Sequence, residues 1–128
     1  MEHIEARTAG WNPSGTEHFT GSVWNKRIND QTDGVTLLAV QFAPGARTDW
    51  HSHPGGQLLY VVSGSGMVTT KTGETVLISP GDVVHAPPGE RHWHGSAPDG
   101  PMMHLSITSG GATVWEDKVD DEEYGAAD

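Results

Sequence analysis

Glycine and proline interrupt this chain from end to end, seventeen of one and eight of the other, and no helical periodicity lasts beyond a turn or two. Both residues weaken helix interiors, so a chain cut this often cannot be built from long helices. The stretches between the breaks are short and rich in β-branched and aromatic residues: 19–24, 35–42, 57–62, 66–70, 75–78, 82–86, 91–95, 102–107 and 112–115. Short strands separated by turn signals at roughly eight- to twelve-residue spacing predict an all-β sandwich or barrel. Ala43-Pro44-Gly45-Ala46, Ser79-Pro80-Gly81-Asp82 and Pro87-Pro88-Gly89-Glu90 each place proline before glycine, the order of a type II turn. Lys71-Thr72-Gly73-Glu74 reads as a hairpin tip.

The length of 128 residues suits a single domain over 1–128. Residues 1–18 read as an arm that frays or docks as an edge strand, 19–115 as the barrel and 116–128 as an acidic tail. The formal charge is -10, but the tail holds seven acids against one lysine, so most of the acidity lies outside the barrel. A field of that sign repels phosphate backbones and anionic membrane, which argues against nucleic acid or membrane as a partner. Within the tail, Asp120-Asp121-Glu122-Glu123 fits either a short capped helix, with acids at its positive pole, or a solvated end. There is no cysteine, which excludes disulfides and thiolate metal sites. No apolar leader precedes Arg7 and no apolar run approaches the ~20 residues of a membrane helix, so the expected location is cytoplasmic.

Histidine carries the functional signal. Six of the eight lie between His51 and His104. In a strand, residues two apart face one side about 6–7 Å from each other, so His51 and His53 project together. Gln57 follows a Pro-Gly-Gly turn that returns its amide to the same place. His92 and His94 repeat the pattern, and His104 alternates with Met103 and Leu105 in an apolar strand. Imidazoles presented this way suit one divalent metal ion.

These residues also carry a resemblance. Gly45-x5-His51-x-His53-x3-Gln57-x6-Gly64 is similar to the first cupin motif, with Gln where Glu is more usual. Gly81-x5-Pro87-x-Gly89-x2-His92-x3-Ser96 is similar to the second, with Ser where Asn is usual. The wording Gly45-Ala46-Arg47-Thr48-Asp49-Trp50-His51-Ser52-His53, then Pro88-Gly89-Glu90-Arg91-His92-Trp93-His94-Gly95 and Met102-Met103-His104-Leu105, resembles the small bacterial cupins that include the manganese-dependent hydroxynitrile lyases. The resemblance implies a jelly-roll β-barrel of two antiparallel sheets. It implies one metal ion per subunit, manganese first, with iron, zinc, nickel or cobalt as alternatives, on His51, His53, Gln57 and His92. It also implies two active-site histidines at His94 and His104. The activity implied is that of a metal-dependent lyase on a small hydroxy or carbonyl compound, with a cupin dioxygenase using iron or a non-catalytic ligand-binding barrel as alternatives.

Four neutral donors leave a divalent ion its full charge, which acidifies a bound hydroxyl or polarises a carbonyl. Leu38, Val40 and Phe42 share one face of their strand and predict apolar walls for a small-molecule substrate. Asp49 stands where those relatives carry a small apolar residue. By parity it turns to the side of His51 with Arg47, either as a carboxylate orienting a ligand imidazole or as an Asp49–Arg47 pair worth ~1 kcal/mol or less. Trp50 and Trp93 have outward parity, and outward aromatics predict burial against a second subunit in a homodimer or homotetramer.

Overall fold

Along residues 57–61, Gln57, Leu59 and Val61 are buried while Leu58 and Tyr60 are exposed. That period of two marks a strand with one face on a core. The computed structural model of the chain describes residues 1–29 and 32–127. In order they form β1 (Asn12–Pro13), β2 (Phe19–Thr20), β3 (Val23–Arg27), β4 (Val35–Phe42), β5 (Arg47–Thr48), β6 (His51–Ser52), β7 (Gln57–Gly64), β8 (Gly66–Thr70), β9 (Thr75–Ile78), β10 (Val83–Ala86), β11 (His92–Ser96), β12 (Met102–Ser109), β13 (Val114–Trp115) and helix α1 (Asp121–Ala127). A single 3-10 turn, Ala6–Thr8, lies in the N-terminal arm. No helix of the described residues is long and apolar enough to cross a membrane.

The strands form two antiparallel sheets. The first runs β1-β3-β4-β12-β7-β10. In the second, β11 pairs with β8 on one edge and with β5 and β6 on the other; β9 extends β8, while β2 and β13 extend β5 and β6. Val23, Val40, Phe42, Leu59, Val61 and Met102 from the first sheet pack against Val68 and Ile78 from the second. This apolar cluster closes one end of the interior.

The expected all-β architecture with two antiparallel sheets is present. The segment expected as one strand over 19–24 is two, because the chain changes sheets between β2 and β3. Gly21 makes that crossing at φ +81, and a Cβ there would fall 2.9 Å from the Cβ of Ala46. β5 and β6 lie outside the nine expected segments, and the stretch whose residues the parity argument treated as one strand over 47–53 is broken between them. In the arm, β1 pairs with β3 as an edge strand.

The tail is a helix with a reciprocal cap. The Glu123 amide donates to Asp120 Oδ1 (2.8 Å) and the Asp120 amide to Glu123 Oε1 (3.3 Å). Its placement corrects the expectation for the outward tryptophans. Trp50 and Trp93 do face away from the interior, but this chain's own Val119 and Tyr124 cover them, together with Met67. Trp50 Nε1 donates to Glu123 Oε2 (3.2 Å), and the Tyr124 hydroxyl donates to the Ser96 carbonyl (2.6 Å). Their burial is therefore intramolecular. Truncating the buried Tyr124 to alanine removes the ring over Trp93, and a loss of about 3 kcal/mol is expected. Urea unfolding should show the lowered midpoint, with tryptophan emission shifted to the red before denaturant is added.

Candidate metal centre

β11 is the strand on which the site is built. His92 and His94 face the interior from it, and His92 lies directly opposite His51 on β6. His53 follows β6 at the start of a tight turn, and its carbonyl accepts from the amides of Gly56 and Gly89, both at 3.0 Å. At Gly55 a Cβ would lie 2.2 Å from the Ser109 carbonyl oxygen, so only glycine lets this turn pack on the end of β12. Gln57 then opens β7, opposite Thr108 of β12.

Each of these imidazoles is held by its outer nitrogen. His51 Nδ1 donates to the Asp49 carbonyl (2.8 Å) and His92 Nδ1 to the Glu90 carbonyl (3.0 Å). His53 Nδ1 is 3.3 Å from the Thr113 hydroxyl. A neutral imidazole that donates from Nδ1 keeps a lone pair on Nε2, and here those lone pairs turn inward. The ligand atoms of His51, His53 and His92 all lie within 4.8 Å of one another.

Gln57 gives a test of whether a cation fits. Its Nε2 donates to Ser106 Oγ (2.8 Å), which leaves Oε1 facing His92 Nε2 at 3.1 Å. Because His92 donates from Nδ1, that contact sets two lone pairs against each other. A shared cation reconciles them, and two ligands at right angles, each ~2.1 Å from an ion, are ~3 Å apart. His53 Nε2 is buried and has no protein partner, which fits the same reading. These three histidines are positioned to bind a metal ion.

His94 and His104 form a second group. His104 Nε2 and His94 Nδ1 are 3.2 Å apart and share one proton, while His94 Nε2 and His104 Nδ1 are buried without a partner. Phe42 packs against both rings, at centroid distances of 5.9 and 5.3 Å. Burial is the first cause that lowers the pKa of all five imidazoles. His104 falls from 6.5 to about 4 by burial, and His53 to about 4 by burial and then by the His92 charge. All five are therefore neutral at pH 7, the form in which imidazole ligates a metal.

The cupin domain family model matches residues 38–108 of the chain. The sequence is 40% identical to an (R)-mandelonitrile lyase from Granulicella tundricola, covering 97% of each chain. The chain belongs to the cupin family. A solved cupin-like protein from Thermotoga maritima superposes with a TM-score of 0.85 at 37% identity, over 99% of this chain and 97% of that one. A polyketide cyclase from Streptomyces resistomycificus shares the fold with a TM-score of 0.75 at 18% identity, over 97% and 90% of the two chains.

In this cupin the histidines open onto a cavity of about 220 Å³, whose lining includes His51, His53, His94, His104, Gln57, Leu38 and Val40. An apolar cavity of ~150 Å³ holds benzene, so one substituted ring fits here. Two expected pocket residues are absent from that lining. Phe42 lies beneath the His94–His104 pair as part of the apolar floor. Asp49 is buried with its carboxylate turned away, 3.1 and 3.2 Å from Lys118 Nζ. It orients His51 through its backbone carbonyl, not its side chain. Arg47 does not pair with it either, but donates to the Val119 carbonyl (2.8 Å) and Asp121 Oδ1 (2.8 Å). The break between β5 and β6 defeats the parity argument that put both side chains beside His51.

Four groups escaped the sequence reading. Ser106 and Thr113 hold Gln57 and His53, Trp115 lies tilted against His51 at a centroid distance of 4.9 Å, and Arg27, an exposed residue, lines the cavity. Only Arg27 left a signal, since Val23, Asn25 and Arg27 alternate in phase.

The pKa shifts set a pH dependence for the metal-stripped protein. The folded values lie below 6.5, so the unfolded chain binds more protons once the pH drops beneath that value. The stability of the neutral cluster is complete above pH ~6.5 and is lost as pH falls toward ~4; His104 alone accounts for ~3 kcal/mol of that loss. Thermal melts from pH 8 to 4 should show this fall, and His104→Gln should flatten it.

Proposed function

We propose that this cupin is a metal-dependent lyase of the hydroxynitrile lyase type, which cleaves a cyanohydrin into a carbonyl compound and hydrogen cyanide and runs the reverse addition. The observation that carries the reading is the convergence of three buried, unpartnered ring nitrogens, those of His53, His94 and His104, on one cavity. The 40% identity to a mandelonitrile lyase over nearly the whole chain supports it. His51, His53, His92 and Gln57 would hold one divalent ion. Manganese is the ion implied by the motifs, although three imidazoles and an amide also accept iron, cobalt, nickel or zinc. Bound by neutral donors, the ion supplies Lewis acidity that favours the ionised form of the substrate hydroxyl.

The chain's own residues do the rest. The His94–His104 pair takes the hydroxyl proton at whichever outer nitrogen carries the lone pair. The carbon–cyanide bond then breaks, and the same proton returns to the departing cyanide, so the enzyme ends as it began. Leu38 and Val40 hold the organic part, and the Phe42 floor keeps water from the pair. The lowered pKa of both imidazoles keeps them in the base form at mildly acidic pH.

Benzaldehyde release from mandelonitrile at mildly acidic pH tests this, with metal content measured on the same samples. His53→Ala is expected to lose bound manganese and turnover together. His104→Ala is expected to keep the metal and lose about a hundredfold or more in rate. Release that is indifferent to manganese and to both variants would overturn the reading.

We also propose that the chain works as a homodimer through the outer face of the first sheet. Leu58, Tyr60, Val62 and Val83 are exposed there, between 39% and 61%, beside the half-buried Leu105 and Ile107. A second copy of the same face is the simplest cover for a contiguous apolar patch. Light scattering after size exclusion should give a dimer mass, and Leu58→Asp with Tyr60→Glu should give a folded monomer.

A further inference from the structure

The three histidines positioned to bind a metal ion are not held alike. His51 Nδ1 donates to the Asp49 carbonyl (2.8 Å) and His92 Nδ1 to the Glu90 carbonyl (3.0 Å). A carbonyl oxygen only accepts, so each contact fixes the ring proton on Nδ1 and the lone pair on Nε2. His53 Nδ1 instead meets the Thr113 hydroxyl, at 3.3 Å. A hydroxyl both donates and accepts, so this contact fits two tautomers. In one, Nδ1–H donates to Oγ1 and Nε2 keeps its lone pair. In the other, Oγ1–H donates to Nδ1 and the ring proton sits on Nε2, where it blocks ligation.

The backbone places that hydroxyl. β13 pairs with β6 through Val114 opposite Ser52 and Trp115 opposite His51. One step further along the same register sets Thr113 opposite His53. The loop before Thr113 is seated on the turn that follows His53, since a Cβ on Gly110 would fall 2.6 Å from Gly55 Cα. Thr113 is half-buried and lines the cavity, while His53 is buried and its Nε2 has no protein partner. Among the described residues, no carbonyl selects the inward lone pair of His53 as those of Asp49 and Glu90 do for the other two rings.

We infer that Thr113 is a positioning residue that makes His53 the adjustable ligand of this site. The metal-free ring is shared between two tautomers, and the Thr113 hydroxyl must turn from donor to acceptor before Nε2 can bind an ion. This rests on the reading that the three histidines hold a metal, and not on the reaction proposed above. The fraction of His53 in the ligating tautomer scales the affinity of the site, and the hydroxyl bond keeps the ring aimed at it.

Two measurements on the full chain test this, both at pH 8 after the metal has been removed by chelation. Nitrogen-15 spectra of the imidazole rings report the tautomer of each histidine. His51 and His92 are expected to show one protonated and one bare nitrogen, and His53 intermediate positions for both. Calorimetric titration with manganese then compares Thr113→Val, which keeps the shape without the hydroxyl, with Thr113→Ser, which keeps the hydroxyl. Valine should weaken binding by about tenfold or more, and serine should stay within about threefold of the wild type.

A ring proton confined to one nitrogen of metal-free His53 overturns the inference, because the hydroxyl would then hold a single arrangement. Undiminished manganese affinity in Thr113→Val overturns it too. An equal loss in Thr113→Ser does the same, since the effect would then belong to packing of the loop. The spectrum of the wild type needs no variant, so a Thr113→Val chain that fails to fold leaves that test standing. The readings fail separately. A wild type that takes up no manganese fails the metal reading itself, whereas one that binds manganese indifferently to Thr113 fails only this inference. Neither result depends on benzaldehyde release.

Discussion

Five imidazoles share one barrel interior, and they can do so only while uncharged. Burial penalises each imidazolium, and any charged ring raises the cost of charging its neighbours. Neutrality makes the two ring nitrogens different, one donor and one acceptor, so each ring needs a partner that chooses between them. The carbonyls of Asp49 and Glu90 make that choice for His51 and His92. Each belongs to the residue two positions before the histidine it holds. The metal-facing lone pairs are therefore set by local backbone geometry, before any tertiary contact refines them.

What tertiary structure adds is support from behind. The outer face of the strands that carry His51, His92 and His94 is covered by residues 119–127. Arg47, Trp50 and Trp93, which alternate with or flank the histidines, are all held there: Arg47 by Val119 and Asp121, Trp50 by Glu123, and Trp93 by Tyr124. Lys118 ties the buried Asp49 carboxylate to the carbonyls of Thr16 and Glu17, joining both ends of the chain to the site strand. A side chain next to a ligand that cannot move keeps the ligand in place, which is how an acidic terminal segment bears on a site it never touches.

Much of this was legible from residue order. A period of two needs no knowledge of the fold, so the His51–His53 and His92–His94 pairs, the inward run of Leu38, Val40 and Phe42, and most strand limits could be read directly. β4, β8 and β9 match the sequence reading residue for residue. The same rule failed where the strand broke. Between β5 and β6 the backbone leaves the ladder at Asp49 and Trp50, and parity no longer says which way a side chain points. The outward direction of Trp93, inside a continuous strand, was legible, but what covers it and Trp50 was not, because a tail of acids reads as solvated whether or not it carries a Tyr124 to bury.

Sequence by itself determined the chemistry available to this protein: an all-β frame, neutral nitrogen and amide donors in pairs, and no cysteine. Those follow from residue types and spacings of a few positions, which act through local geometry. Only the tertiary structure decided which donors meet and what surrounds them. His104 reaches His94, Ser106 holds Gln57 and Arg27 lines the cavity because β3, β4, β12 and β7 lie side by side and face the strand of His92, while Thr113 holds His53 because β13 pairs with β6. The physical reason is that sheet pairing joins residues far apart in the chain, and its register is settled by burying a whole face at once, not by any local signal.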